Sequence, residues 1–323
     1  MKQFWVWSRK LAIALAGSGL LAGATMPARA AELWFGPGDD LDVQGVVQHP
    51  DFQELFSAAG SWQTGLSRVN VLQLRAPWFA RMPDGAVRTV VAFLAEHRIK
   101  LALPMGGVQS ETCGKGVEGI MVSKGIIGYP QTLKKRGVAV DYMVLDEPLF
   151  FGHDYAGHDA CNFPVAEVAK RVAWSVRAVR NFYPAIKVDL VEPIQSLEGG
   201  PEELAAFLEN YRRELGEYPH AVRFDLAWHR EWEGVVPPFI AMLDSKRIGY
   251  SIIYDAEKGG AAPTDAAWVR SAEANVMRFR QAVRQPPAEV VLQTWTPRPV
   301  RIVPENDPTT MTGFLKWYVE HFR

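Results

Sequence analysis

The stretch "DYMVLDEPLFFG", residues 141–152, ends an apolar, strand-forming run in two adjacent carboxylates, Asp146 and Glu147, closed by Pro148. Burial and a neighbouring like charge both disfavour ionisation, so a carboxyl beside Leu149, Phe150 and Phe151 can hold a proton near neutral pH and act as a general acid. The structural alternative is a strand-ending pair that meets an arginine such as Arg75 or Arg223. Further carboxylates close similar runs: Glu192 in "KVDLVEP", Asp225 in "AVRFDLAW" and Asp255 in "IGYSIIYDA", while Asp39 and Asp40 follow the first run. Aromatic and basic residues accompany them: Trp34, Arg75, Trp78, Trp228, His229, Tyr254 and Trp295. No serine or cysteine nucleophile motif is present.

Positioning these groups requires a framework, and its period is legible. Eight β-rich runs recur from residue 32 onward: 32–36, 69–75, 99–106, 141–148, 187–193, 221–228, 248–256 and 289–295. Segments of helical periodicity lie between them, among them "HPDFQELFSAAG", a weak one at "PQTLKKRG" and a long one at "PVAEVAKRVAWSVRAVRNFY"; "TTMTGFLKWYVEHFR" closes the chain. Eight strand–helix units in one chain predict a single (β/α)8 TIM barrel over residues 31–323. The competing architecture, an open doubly wound sheet, lacks its G-x-G-x-x-G or P-loop signature after the first strand.

In such a barrel the C-terminal strand ends form one mouth, where polar residues are functional candidates. Alternation places Val71, Gln73 and Arg75, then Arg223, Asp225 and Ala227, then Val291, Gln293 and Trp295 on the inner wall. That wall turns polar toward its top, as a site for a polar ligand requires.

Paired carboxylates with Trp and Tyr platforms suit glycosidic bond hydrolysis: one carboxyl protonates the leaving oxygen, another attacks or activates water, and aromatic faces stack on sugar rings. On Arg75, Glu147 and Trp295, at the ends of the second, fourth and eighth runs, the chain resembles the (β/α)8 glycoside hydrolases of the large retaining superfamily, with acid/base Glu on strand four and nucleophile on strand seven. The resemblance implies Glu147 as acid/base. Two departures stand out. Asp146 occupies the position of the usual Asn, and "YDAE" offers Asp255, or the less well placed Glu257, where a Glu is expected. The second carboxylate is thus sought among Asp255, Asp225 and Glu192, and Asp146, Arg75, Trp34, Trp228, His229, Tyr254 and Trp295 are expected to bind substrate. No cofactor is called for, and the sugar, its linkage and the oligomeric state are not specified.

The first thirty residues carry Lys2, Arg9 and Lys10, then "LAIALAGSGLLAGA", then Ala28-Arg29-Ala30, the pattern of a cleaved secretory signal. A periplasmic or secreted chain starting near Ala31, with no stable membrane insertion, is expected; an uncleaved anchor is the alternative. The leader's four basic residues and lack of acidic ones take the formal −1 of the whole chain to near −5 for the remainder, which argues against nucleic acid as partner. Cys113 and Cys161, the only cysteines, are expected to form a disulfide in that compartment. The loop "GHDYAGHDACNF" holds His153, Asp154, His158 and Asp159, whose spacing fits no familiar metal site. Two other function classes are therefore weighed: a catalytically silent carbohydrate-binding barrel, and a metal-dependent hydrolase using His153 and His158. Arg298 and Arg301 near the last strand are candidates to meet an acidic sugar.

Overall fold

Residues 31–38, 49–57, 59–256 and 262–322 are described by a computed structural model. The expected leader, residues 1–30, and Asp39, Asp40 and Glu257 lie outside the described residues. The β-rich runs form eight parallel strands: β1 (Glu32–Gly36), β2 (Val71–Gln73), β3 (Lys100–Gly106), β4 (Tyr142–Asp146), β5 (Lys187–Glu192), β6 (Ala221–Phe224), β7 (Gly249–Tyr254) and β8 (Glu289–Gln293). Each pairs with the next, and β8 returns to β1 in the register Glu32↔Glu289 to Gly36↔Gln293, closing the barrel. The architecture is the expected (β/α)8 barrel, and the open sheet is excluded by that closure.

Period-two alternation divides each strand between two cores. Trp34, Val71, Ala102, Tyr142, Val144, Val191, Ile253 and Val291 pack inside the barrel. Their neighbours, including Leu33, Phe35, Leu72, Met143, Leu145 and Leu292, face the helices. Helices Asp84–His97, Ser123–Lys135, Val165–Arg180, Gly200–Leu215, Val236–Ser245, Asp265–Ala282 and Met311–Phe322 form that outer layer. Asp265–Ala282 is capped by Thr264, whose hydroxyl accepts from Ala267 N at 3.2 Å, a contact of about 1 kcal/mol.

Two helical expectations change. "HPDFQELFSAAG" is not one helix; among the described residues the first crossover holds short helical turns, Glu54–Ser57 and Gln63–Leu66. Packing replaces length there: Phe52, Leu55, Phe56 and Trp62 are all buried, and Trp62 Nε1 donates to Leu55 O at 2.9 Å. Conversely, the weak segment "PQTLKKRG" belongs to a full helix, Ser123–Lys135. Gly125, Gly128 and Pro130 lower its intrinsic propensity, but Ile126, Pro130 and Leu133 recur at helical spacing and anchor it.

The barrel interior also holds charge. Arg223 is fully buried; its guanidinium donates to Asp189 at 3.0 Å and Glu289 at 3.3 Å, and lies 4.3 Å from the Trp34 ring centroid. His220 Nδ1 lies 3.2 Å from both carboxylates at the N-terminal end of the barrel. Hydrogen bonds to Asp189 and Glu289 favour the imidazolium and raise the His220 pKa to about 9. A histidine raised in the folded state contributes stability that is complete below its unfolded value of about 6.5 and lost as pH rises through about 9. His220→Gln is therefore expected to narrow its Tm deficit against the wild type between pH 7 and pH 10; a deficit constant over that range in thermal melts would remove His220 from this role.

Cys113 and Cys161 are disulfide-bonded across 48 residues of sequence, joining the loop after β3 to the loop after β4. Gly114 N also donates to Asp159 O at 2.8 Å, so the two mouth loops are joined twice. Replacing both cysteines with Ala is expected to cost about 2–4 kcal/mol, chiefly by loosening the unfolded chain. The check is a denaturant midpoint together with the rate of proteolytic cutting in the two loops. No helix among the described residues is long and apolar enough to cross a membrane.

Candidate active site

At the C-terminal ends of the strands a cavity of about 560 Å³ opens, lined by residues from all eight strands or the segments that follow them. Asp146 enters it by strand parity. Glu147, the next residue, would point away if the strand continued, because successive side chains alternate. A left-handed backbone at Glu147, φ 42°, breaks that alternation, and both carboxyls line the cavity. Such a conformation costs a non-glycine residue about 1–2 kcal/mol, and the following segment holds it in place. Glu147 O accepts from Phe151 N at 3.0 Å, within a π-helical turn over Phe150–Asp154. Glu192 accepts from Leu149 N at 2.8 Å and Phe150 N at 3.2 Å.

Across the cavity stands Asp225, which continues β6; its backbone N–H donates to Glu192 O at 3.1 Å. The carboxyls of Glu147 and Asp225 face each other closely enough that each alters the other's ionisation. Two carboxyls so placed must share a proton. Burial, and after it the charges of Asp225 and Asp146, push Glu147 up to about 10, while Asp225 is raised by burial and pulled back by the Glu147 hydrogen bond to about 6. Double ionisation is disfavoured, so around neutral pH the pair as a whole holds a proton. A second pair forms beside it. Asp146, raised to about 8 by burial and then by the Glu118 charge, is hydrogen-bonded to the Glu118 side chain.

Glu118 was not singled out from the sequence. It arrives from the loop after β3 because Gly119, at φ +74°, lets the chain pass against β4: a Cβ there would meet Asp146 O at 2.6 Å. The local signal is the glycine after the acid in "GVEGI".

Arg75, Asp146, Glu147, Asp225 and Trp295 thus share one cavity, with Trp295 48 % exposed at its edge. Others lie elsewhere. Trp34 points inward as parity requires, but two residues below the strand end, where it is sealed against Tyr142 at 4.6 Å and Arg223. Trp228 and Tyr254 belong to the helix-facing layer, their rings stacked at 5.8 Å; Trp78 is likewise core. These four are corrected from sugar platforms to packing residues. Asp255 is buried and accepts from Trp228 Nε1 at 2.8 Å, outside the cavity lining, and burial holds its pKa well above the ordinary range. Glu192 is also fully buried, raised by burial to about 8, and is occupied by backbone donors. It positions the Glu147 segment rather than meeting a ligand. His229 is exposed and not part of the lining. Arg298 pairs with Asp265 and Arg301 with Asp51.

The His153 and His158 pairing is not formed. His153 Nδ1 donates to Phe163 O at 2.6 Å and its Nε2 lies 3.2 Å from Glu203. Ligand atoms of His153, Asp154 and Glu203 come within 4.8 Å of one another, but His158 joins no such group among the described residues.

No family model matches the chain, and no curated protein matches it. Solved structures do. A GH10 endoxylanase retrieved from a sugarcane soil metagenome is 11% identical over 90% of this chain and 97% of that one, with a TM-score of 0.50. That likeness shows a shared (β/α)8 barrel fold. An endo-1,4-beta-xylanase from Caldicellulosiruptor owensensis is 12% identical, covering 83% of this chain and 85% of its own, TM-score 0.49. A deoxyribose phosphate aldolase from Aeropyrum pernix is 10% identical over 91% of both chains, TM-score 0.45. Likeness at this identity shows the fold alone, and function has to be argued from the cavity.

Proposed function

We propose that the chain is an exported glycoside hydrolase acting on a polysaccharide or oligosaccharide, with Glu147 as general acid and Asp225 as its partner carboxylate. The observation that carries this reading is the facing Glu147–Asp225 pair, both carboxyls raised by burial and Glu147 the more strongly, in a cavity that Trp295 also lines. Acid and base assignments follow from environments that drive two carboxyl pKa values apart.

In the reaction, a sugar entering the cavity parts the two carboxyls. Glu147 transfers its proton to the glycosidic oxygen as the bond to the anomeric carbon breaks, and Asp225 attacks that carbon. Water then adds to the anomeric carbon, giving its proton back to Glu147 and releasing Asp225. The retaining course works at about 5–5.5 Å between carboxyls and the inverting one at about 6.5–9.5 Å to hold its water; the close approach of Glu147 and Asp225 lies nearer the first. Trp295 offers a face for a sugar ring at the rim.

The binding-only barrel predicts aromatics without a carboxyl pair. Burial of Trp34, Trp228 and Tyr254 and convergence of Glu147 with Asp225 favour the enzyme instead. Reducing-sugar release by residues 31–323 from xylan, cellulose, chitin and β-glucan tests the reading. Release by the wild type and none by a folded Glu147→Gln protein is expected; equal release by the two would discard this site.

A further inference from the structure

Gln73 and Gln293, from β2 and β8, line the cavity between the carboxyl pairs and the buried charges below. An amide can present either its oxygen or its NH2 group, and the heavy-atom positions of the two are nearly alike, so its polarity follows from its partners. Here the partner is decisive. Arg223 can only donate, and its Nη1 lies 2.7 Å from Gln73 Oε1. The NH2 of Gln73 is thereby turned away from Arg223 and donates to Gln293 Oε1 at 2.6 Å. Gln293 has then spent its oxygen on Gln73, and its NH2 is left to the cavity. Gly36 makes room for this arrangement, because a Cβ there would stand 3.3 Å from Gln293 Cγ.

We propose that Arg223 sets the polarity of a Gln73–Gln293 amide relay, so that Gln293 is a fixed hydrogen-bond donor recognising an acceptor oxygen, a hydroxyl or ring oxygen, of the sugar held at Glu147 and Asp225. The inference rests on the reading of the cavity as a sugar site. Around it stand the carboxyls of Glu118, Asp146, Glu147 and Asp225, with Arg75 as the charged donor of the lining. Gln293 adds a neutral donor whose direction is fixed. A buried donor of this kind rejects a ligand without its acceptor, since the unpaired group is left desolvated. Arg223 and Gln73 act through Gln293 and are positioning residues.

Two isosteric variants test it. Gln293→Glu still accepts from Gln73 but has no donor for the cavity. Gln73→Glu still accepts from Arg223 but cannot donate, so Gln293 reverses and presents its oxygen. Each is expected to lower kcat/KM about 10²-fold with the melting temperature little changed. A merely structural role would instead move the melting temperature. In parallel, xylotriose and cellotriose are titrated into the Glu147→Gln protein while the side-chain amide resonances of Gln293 are followed by NMR, and a shift of both amide protons is expected. Hydrolysis unimpaired by Gln293→Glu, or sugar binding that leaves the Gln293 resonances in place, overturns the relay while the glycosidase reading stands. Sugar that shifts Gln293 in a protein whose wild type hydrolyses nothing supports the relay and removes the catalytic reading.

Discussion

Glu147→Gln is expected to lower sugar hydrolysis about 10³-fold, the scale of a lost general acid, and to leave the fold intact. The amide fills the same space and can still donate to Asp225, so the cavity keeps its packing. The pH profile gives the sharper readout. Activity requires Asp225 ionised and Glu147 protonated, so kcat/KM rises through about 6 and falls near about 10. Because the two groups interact, these limbs belong to the pair and not to either residue alone. In Glu147→Gln the alkaline limb is expected to disappear. Stability moves the other way. A carboxyl raised in the folded state gives stability that is complete below its unfolded value of about 4.5 and lost as pH rises through about 10. The variant has no proton to lose, so its Tm should match the wild type at pH 5 and exceed it at pH 9. Retention of the alkaline limb in the variant would assign that limb, and the acid, to another group.

Arg223→Met is expected to be the most damaging single change in the barrel, costing about 3–5 kcal/mol. Arg223, Asp189 and Glu289 are all buried. Removing the cation leaves two buried carboxylates with His220 as their remaining cationic partner, and the lost ring contact with Trp34 adds to the cost. For a chain of this size that corresponds to a Tm lower by about 10 °C. Arg298→Ala, which breaks a half-exposed pair with Asp265, should cost under about 1 kcal/mol. Adding Asp189→Leu and Glu289→Leu to Arg223→Met removes the stranded charges and should recover part of the loss. Thermal melts of the four proteins decide it, and an Arg223→Met protein as stable as the wild type would mean that water reaches the interior. The position is worth the cost of burial if it orients Gln73, which ties the barrel's stability to its cavity.

Period-two patterning in the β-rich runs determined the barrel and which residues its strands turn inward. Side-chain direction in a strand is set by the backbone two residues at a time, so Gln73, Arg75, Asp225, Gln293 and Trp295 could be placed on the inner wall without knowledge of their neighbours. Depth was not legible. Trp34 and Trp295 have the same inward parity, yet one is sealed beneath Arg223 and the other stands at the rim, a matter of where the strands stagger in the closed sheet. Nor was the identity of the carboxyl pairs. Glu147 turns into the cavity only because its φ is positive and Glu192 holds the following turn, and Glu118 reaches Asp146 only because Gly119 fits against the β4 carbonyls. The approach of Glu147 to Asp225, 78 positions later in the chain, depends on β4 and β6, which flank β5, curving toward one another in the barrel. A sequence records residue types and local period, while the proton-sharing that makes this cavity reactive is a property of distances between strand ends, which only the closed barrel sets.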